Sequence, residues 1–173
     1  MTQLRFQDLI SEHHDEIHRY LWRLSQSGGG DPARDAEDLT QETFLRAFAA
    51  FDRLRPDSNV RAWLYKIATN CARTAWRRQQ GRHETALDEP MPATAPDDPE
   101  RTTIGRQLSE DLRRAVGALP FKQRTAIALR HLEDLSYRET AQILGCTEAS
   151  ARANVYQALK RLRAQLTPEE VGS

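Results

Sequence analysis

A chain of 173 residues with 39% hydrophobic and 29% charged side chains suffices for one compact domain or two small ones, with little apolar surface to spare. Charges interrupt every apolar run, which excludes a membrane span; the polar, acidic N-terminal stretch has no apolar signal core, so no membrane insertion and a cytoplasmic location are expected. Lys plus Arg equals Asp plus Glu, 25 each, and the two cysteines, Cys71 and Cys146, are too few for a disulfide framework or a four-ligand zinc site, so partners must be read from where the charges lie.

Phe6, Ile10, Ile17, Leu21 and Leu24 recur at helical spacing, and Gly28, Gly29 and Gly30 end this first helix. Asp31 before Pro32 reads as the cap and first position of a short helix. Between residues 31 and 42 five acids, Asp31, Asp35, Glu37, Asp38 and Glu42, face one base, Arg34. Leu39, Phe44, Ala47, Phe48 and Phe51 then mark a further apolar face, and a polar loop covers residues 52–59. In a third helix Val60, Trp63, Leu64, Ile67, Ala68, Cys71 and Ala75 form one stripe suited to a core. β-branched alternation is absent, so the expected class is all-α.

Residues 61–82 hold six bases and no acid. Lys66, Asn70, Arg73 and Arg77 step by four, three and four and share one flank of the third helix, while Tyr65, Thr69 and Trp76 share another. Aromatic rings beside cations suit phosphate contact with base stacking, although a solvated basic face with partly buried aromatics has the same pattern. Residues 87–103 contain four prolines and five acids with almost nothing to bury, the composition of a tether. The expected division is residues 1–86, a linker at 87–107, and residues 108–173.

In the second half Pro120 is expected to open a helix through Ile127, Leu129 and Leu132 that ends near Asp134. Ser136 with Glu139 three residues later is a capping box, opening a short helix that Gly145 ends. Thr147 can cap a last helix whose buried side is Ala151, Val155, Leu159, Leu162 and Leu166. A short capped helix, a turn beginning with Gly and a longer helix make a helix-turn-helix, with an αα-hairpin in a bundle as the plainer reading. As a helix-turn-helix it would expose Glu148, Ser150, Arg152, Ala153, Asn154, Tyr156 and Lys160 to a major groove.

These segments resemble the extracytoplasmic-function sigma factors of bacterial RNA polymerase, two helical domains joined by a linker. DAEDLTQETFLRAF (residues 35–48) is similar to the helix that docks on the polymerase β′ clamp helices. The resemblance implies contacts there by Asp35, Asp38, Leu39, Gln41, Glu42 and Phe44. NVRAWLYKIATNCART (residues 59–74) looks like the helix that handles the minus-ten element. It implies a DNA surface of Arg53, Arg55, Ser58 and Asn59 in the preceding loop, then Lys66, Asn70, Arg73, Trp76 and Arg77. The second half is similar to the domain that meets the β flap and that reads the minus-thirty-five element, the resemblance implying DNA contacts by Thr147, Glu148, Ser150, Arg152, Ala153, Asn154, Tyr156, Lys160 and Arg161.

The recognition helix departs from the family pattern. Ala149, Ser150, Ala151, Arg152, Ala153 and Asn154 stand where Gly-Thr-Val-Lys-Ser-Arg is common, and Gln157 stands where Arg is usual, which suggests a distinct promoter or a weaker grip. The implied function is promoter-specific initiation with core RNA polymerase, held in check by an anti-sigma factor. Two other readings are a sigma-like decoy for anti-sigma proteins and a helix-turn-helix repressor. Catalysis is not expected: there is no Gly-rich phosphate loop or nucleophile elbow, and adjacent His13 and His14, with His18, His83 and His131 scattered, make no ligand pair. No cofactor or metal is expected.

Overall fold

The computed structural model describes residues 5–26, 30–85 and 103–166, and all regular structure among them is helical. In chain order come α1 (Phe6–Ser25), α2 (Pro32–Ala50) with a 3-10 turn at Phe51–Arg53, and α3 (Val60–Thr85). The second half contributes α4 (Thr103–Gly117), α5 (Phe121–Ile127) continued by a π turn at Ala128–Leu132, α6 (Tyr137–Leu144) and α7 (Glu148–Leu166).

Local chemistry sets the starts and stops. Asp31 Oδ1 accepts from the Ala33 amide at 3.1 Å and Pro32 occupies the first turn of α2. Because nothing between Pro32 and Ala50 breaks the helix, one rod of 19 residues replaces the expected short helix and separate apolar segment. Helix α1 stops at Ser25; Gly28 and Gly29 lie outside the described residues. Asn59 Oδ1 accepts from the Ala62 amide at 3.1 Å, capping α3. The Ser136–Glu139 box closes in both directions, at 3.1 and 2.9 Å, and Gly145 at φ 67° ends α6 in the left-handed conformation that a side chain would oppose. Thr147 Oγ1 accepts from the Ser150 amide at 3.1 Å, as a cap of α7 should.

Leu9, Ile17, Tyr20, Leu21 and Leu24 of α1 bury against Ala36, Phe44 and Ala47 of α2 and Leu64, Tyr65, Ala68 and Ala72 of α3. This core does not stop at the end of the first half. It continues into Phe121, Ala128, Leu129, Leu135 and Ile143, so the two halves are packed together. A smaller cluster joins Ala115, Leu119 and Ile127 to Ala158 and Leu162. Helix α4, not expected from the sequence, supplies part of it and begins inside the segment expected as linker; residues 87–102 lie outside the described residues.

The π turn alters the expected end of α5. An extra residue in the turn rotates the positions after it, so Leu132, expected on the apolar face, is 52% exposed, while Glu133 is only 6% exposed. Asp134 at φ 56° completes the reversal. Cys71 is buried, burial pushes its thiol pKa up, and Cys146 is half-buried in the other half. A desolvated thiol is a poor nucleophile, which disfavours a redox role for Cys71.

Candidate polymerase and DNA interfaces

Helix α2 divides the expected docking residues between two neighbouring stripes. Asp38 and Gln41 are exposed, Leu39 half-buried, and Asp35 and Glu42 partly exposed, with Glu42 paired to Arg46 at 2.7 Å. Asp35 has its pKa raised, by burial first and then by the charges of Asp31 and Asp38, which marks the start of α2 as electronegative. Asp35, Asp38 and Leu39 line a small cleft with Trp76 and Phe121. On the next stripe Gln41, Phe44, Leu45 and Phe48 line an open groove with Phe6, Ile10, His14 and His18 of α1.

Two assignments change here. Phe44, expected to contact a partner, is only 8% exposed and stacks with its ring centroid 5.7 Å from that of His14; it forms the floor of the groove. Phe48, expected to pack inward, is 65% exposed, and Leu45 beside it 64%. Phe6 meets the Phe48 ring edge-on, with centroids 5.2 Å apart. An apolar groove beside carboxylates has the make-up of a protein-docking surface. Sequence periodicity could not find it, because an apolar residue next to a core stripe reads as core.

The cationic flank of α3 is as expected. Lys66, Asn70 and Arg77 are exposed, and half-buried Arg73 donates to Asn70 Oδ1 at 3.2 Å. In the loop before it Arg53, Arg55 and Asn59 are exposed and Ser58 half-buried. The aromatic flank is not a stacking platform. Tyr65 and Thr69 are fully buried, Tyr20 Oη and Thr69 Oγ1 share a 2.7 Å hydrogen bond, and half-buried Trp76 lies against Phe121 with centroids 5.6 Å apart. Helical period places 65, 69, 72 and 76 on the side of α3 that faces the core, so the rings are used for packing.

On α7 Glu148, Arg152, Ala153, Tyr156, Lys160 and Arg161 are exposed, as are Thr147, Ala149 and Gln157; Ser150 is half-buried. Asn154 is half-buried and its Nδ2 donates to the Ser150 carbonyl at 3.0 Å, which turns its amide back along the helix. Arg and Asn side chains suit guanine and adenine edges respectively, and of Arg152 and Asn154 the arginine is the better presented. Its guanidinium stands 4.3 Å above the Tyr137 ring, which Arg130 also approaches at 4.9 Å. Tyr137 is thus a support for Arg152 that no spacing rule could reveal, since the contact crosses from α6 to α7.

Among the described residues no cluster could hold a metal ion, and no helix is long and apolar enough to cross a membrane. The family model "Sigma-70 region 2" matches residues 9–82 and "Sigma-70, region 4" matches residues 109–162. The ECF RNA polymerase sigma factor SigE of Mycolicibacterium smegmatis is 34% identical over 159 residues, covering 90% of this chain. The chain spans 59% of that relative's length. The ECF RNA polymerase sigma-E factors of Salmonella typhimurium and Escherichia coli K12 are each 31% identical over 149 residues, covering 79% of this chain and 76% of theirs. In structure the chain is similar to the sigma factor RpoE in complex with the anti-sigma factor NepR from Bartonella quintana, at TM-score 0.74 and 26% identity, covering 95% of this chain and 98% of that one. CnrH, solved with the cytosolic domain of CnrY, shares the fold at TM-score 0.68 and 23% identity, covering 93% of this chain and 86% of that one. Matched in both halves and in the same order, this chain belongs to the extracytoplasmic-function sigma factors.

Proposed function

We propose that the chain binds core RNA polymerase in the cytoplasm and directs initiation at a specific promoter class, without catalysing a reaction itself. Residues 1–86 act as the polymerase and minus-ten module and residues 108–173 as the minus-thirty-five module, with 87–107 between them. The groove of Leu45 and Phe48, lined also by Glu37 and Gln41, carries the docking contact with the β′ clamp helices. Lys66, Arg73 and Arg77 hold promoter phosphate while the loop of Arg53, Arg55, Ser58 and Asn59 handles unpaired bases near the start site. Upstream, α7 enters the major groove, where Arg152 reads a base edge and Lys160 and Arg161 hold backbone. The C-terminal module also meets the β flap.

The observation that supports this reading best is the pairing, on one chain, of an exposed apolar docking groove with a cation-lined helix and a capped helix-turn-helix. Regulation by an anti-sigma factor is supported by the similarity to RpoE, which was solved with NepR bound. The test is transcription in vitro with purified core polymerase and a library of genomic promoter fragments. Transcripts sharing upstream and downstream motifs are expected; no transcript above core alone, with a chain shown to be folded, would refute the proposal.

A further inference from the structure

The groove between α1 and α2 has a wall of imidazole that belongs to no motif. His14 and His18 are four residues apart, hence on one face of α1, and both line the groove. Their rings are nearly parallel, inclined by 7° with centroids 6.2 Å apart. His14 also stacks on Phe44 at the floor, at 5.7 Å, so three rings run as one column in the groove that holds exposed Leu45 and Phe48. Water reaches both imidazoles in the free chain: the His14 side chain is 49% exposed and His18 is half-buried. Two carboxylates lie near them. On α1, Asp15 Oδ1 is 3.4 Å from His14 Nδ1, and on α2 Glu37 is the charged residue among those lining the groove. Glu42, on the neighbouring stripe of α2, is paired with Arg46 at 2.7 Å.

We propose that His14 and His18 are docking residues that the polymerase covers as neutral imidazoles, so that docking sheds protons and weakens as the pH falls. The proposal rests on the docking reading above. A helix with its side chains is about 10 Å across, so a clamp helix seated on Leu45 and Phe48 lies against both walls of the groove, the imidazole column included. Covering the rings removes the water that hydrates an imidazolium, and burial against apolar surface disfavours the charged form of any such group. Two imidazoliums in this column would also repel each other, whereas neutral rings stack on Phe44 at no charge cost. Asp15 and Glu37 act in the opposite direction. Asp15 is 98% exposed and Glu37 is exposed as well, so each attracts an imidazolium through water, where such pairs are weak. The sign follows from the proton count: the free chain binds more protons than the docked one, so affinity is lost as pH falls through the range around 6.5, about where imidazole ordinarily titrates. Histidine in this groove thus makes the choice of promoter class depend on proton concentration.

The test titrates the labelled full chain with purified core polymerase by fluorescence anisotropy, from about pH 5.5 to about pH 7.5. Wild type is compared with the His14→Gln, His18→Gln double variant and with His14→Phe, which keeps a ring on Phe44 and cannot titrate. Circular dichroism at each pH checks the fold. Over this range each imidazole that must lose its proton lowers the affinity by about tenfold. On acidification wild type is therefore expected to weaken between about tenfold and about a hundredfold more than the double variant, and about tenfold more than His14→Phe. Calorimetry on wild type at about pH 6.5, in buffers of different ionisation enthalpy, is expected to count about one proton released per chain docked. This second measurement decides the matter if a variant fails to fold or to bind. Wild type and double variant whose pH dependences agree within about threefold overturn the proposal, and so does proton uptake on docking. Affinity that rises in acid would place an imidazolium beside Glu37 under the partner, and overturns it too. Folded wild type that binds core polymerase at no pH overturns the docking reading and this proposal together, whereas binding with parallel pH profiles overturns the imidazole assignment alone.

Discussion

Truncating Phe48 to Ala tests the docking groove. The ring is 65% exposed in the free chain. An aromatic side chain covers about 200 Å², so roughly 130 Å² of it is open to a partner. At about 25 cal/mol per Å² this area is worth up to about 3 kcal/mol of association, a loss of about 100-fold in affinity if the partner covers all of it. What the ring contributes to the fold is smaller. It rests edge-on against Phe6, a contact worth about 1 kcal/mol. The variant should therefore bind core polymerase between tenfold and a hundredfold more weakly while its unfolding free energy falls by about 1 kcal/mol. Titration of labelled chain with core polymerase by fluorescence anisotropy measures the first effect and urea denaturation the second. An affinity within twofold of wild type, with the fold intact, would refute the assignment of this groove to docking.

Removing Lys66 or Arg77, both exposed on α3, should weaken promoter binding for all sequences and lower the slope of log affinity against log salt by about 1 for each phosphate no longer neutralised; an unchanged slope sets the ridge aside. Tyr137→Ala should relax the base preference set by Arg152 by about 1 kcal/mol while Tyr137→Phe, which keeps the ring, preserves it, as selection from randomised upstream DNA will show. The acid limb of stability should depend on Glu16. Burial alone would raise its pKa, but hydrogen bonds from His13, Arg61 and Tyr65 outweigh it and hold the carboxyl below 4.5. The stabilisation is complete above that value and is lost as pH falls through the lower one in the fold, so Glu16→Gln should flatten the decline of the unfolding midpoint below about pH 4.5. A variant with the wild-type acid profile removes Glu16 from the account.

Legible along the chain was whatever depends on neighbours in sequence. Asp31 with Pro32, the Ser136–Glu139 box, Gly145 and Thr147 each act within a few residues, so their hydrogen bonds and turns come directly from the letters. The cationic flank of α3 was legible for the same reason, since a step of three or four residues is a local property of a helix. Tertiary structure decided which apolar residues are core and which are surface. Phe48 follows buried Phe44 by four residues and so shares the period of the core, and only the position of α1 leaves it open. It also decided the fate of Tyr65 and Trp76, whose stripe is consistent with DNA stacking until α1 covers Tyr65 and the second half covers Trp76.

The largest difference lies between the halves. A Pro-rich acidic stretch predicts separable modules, and the match to two family models agrees with two units, yet one core runs through both. The contacts that join them pair residues far apart in sequence, Arg23 with Glu133 and Asn59 with Glu139, and no periodicity couples such positions. Glu133 makes the point most directly. From sequence it is one more surface acid after an apolar helix. One added residue in the π turn rotates it inward and sends Leu132 out, because a helix face is set by the count of residues per turn and that count changes here.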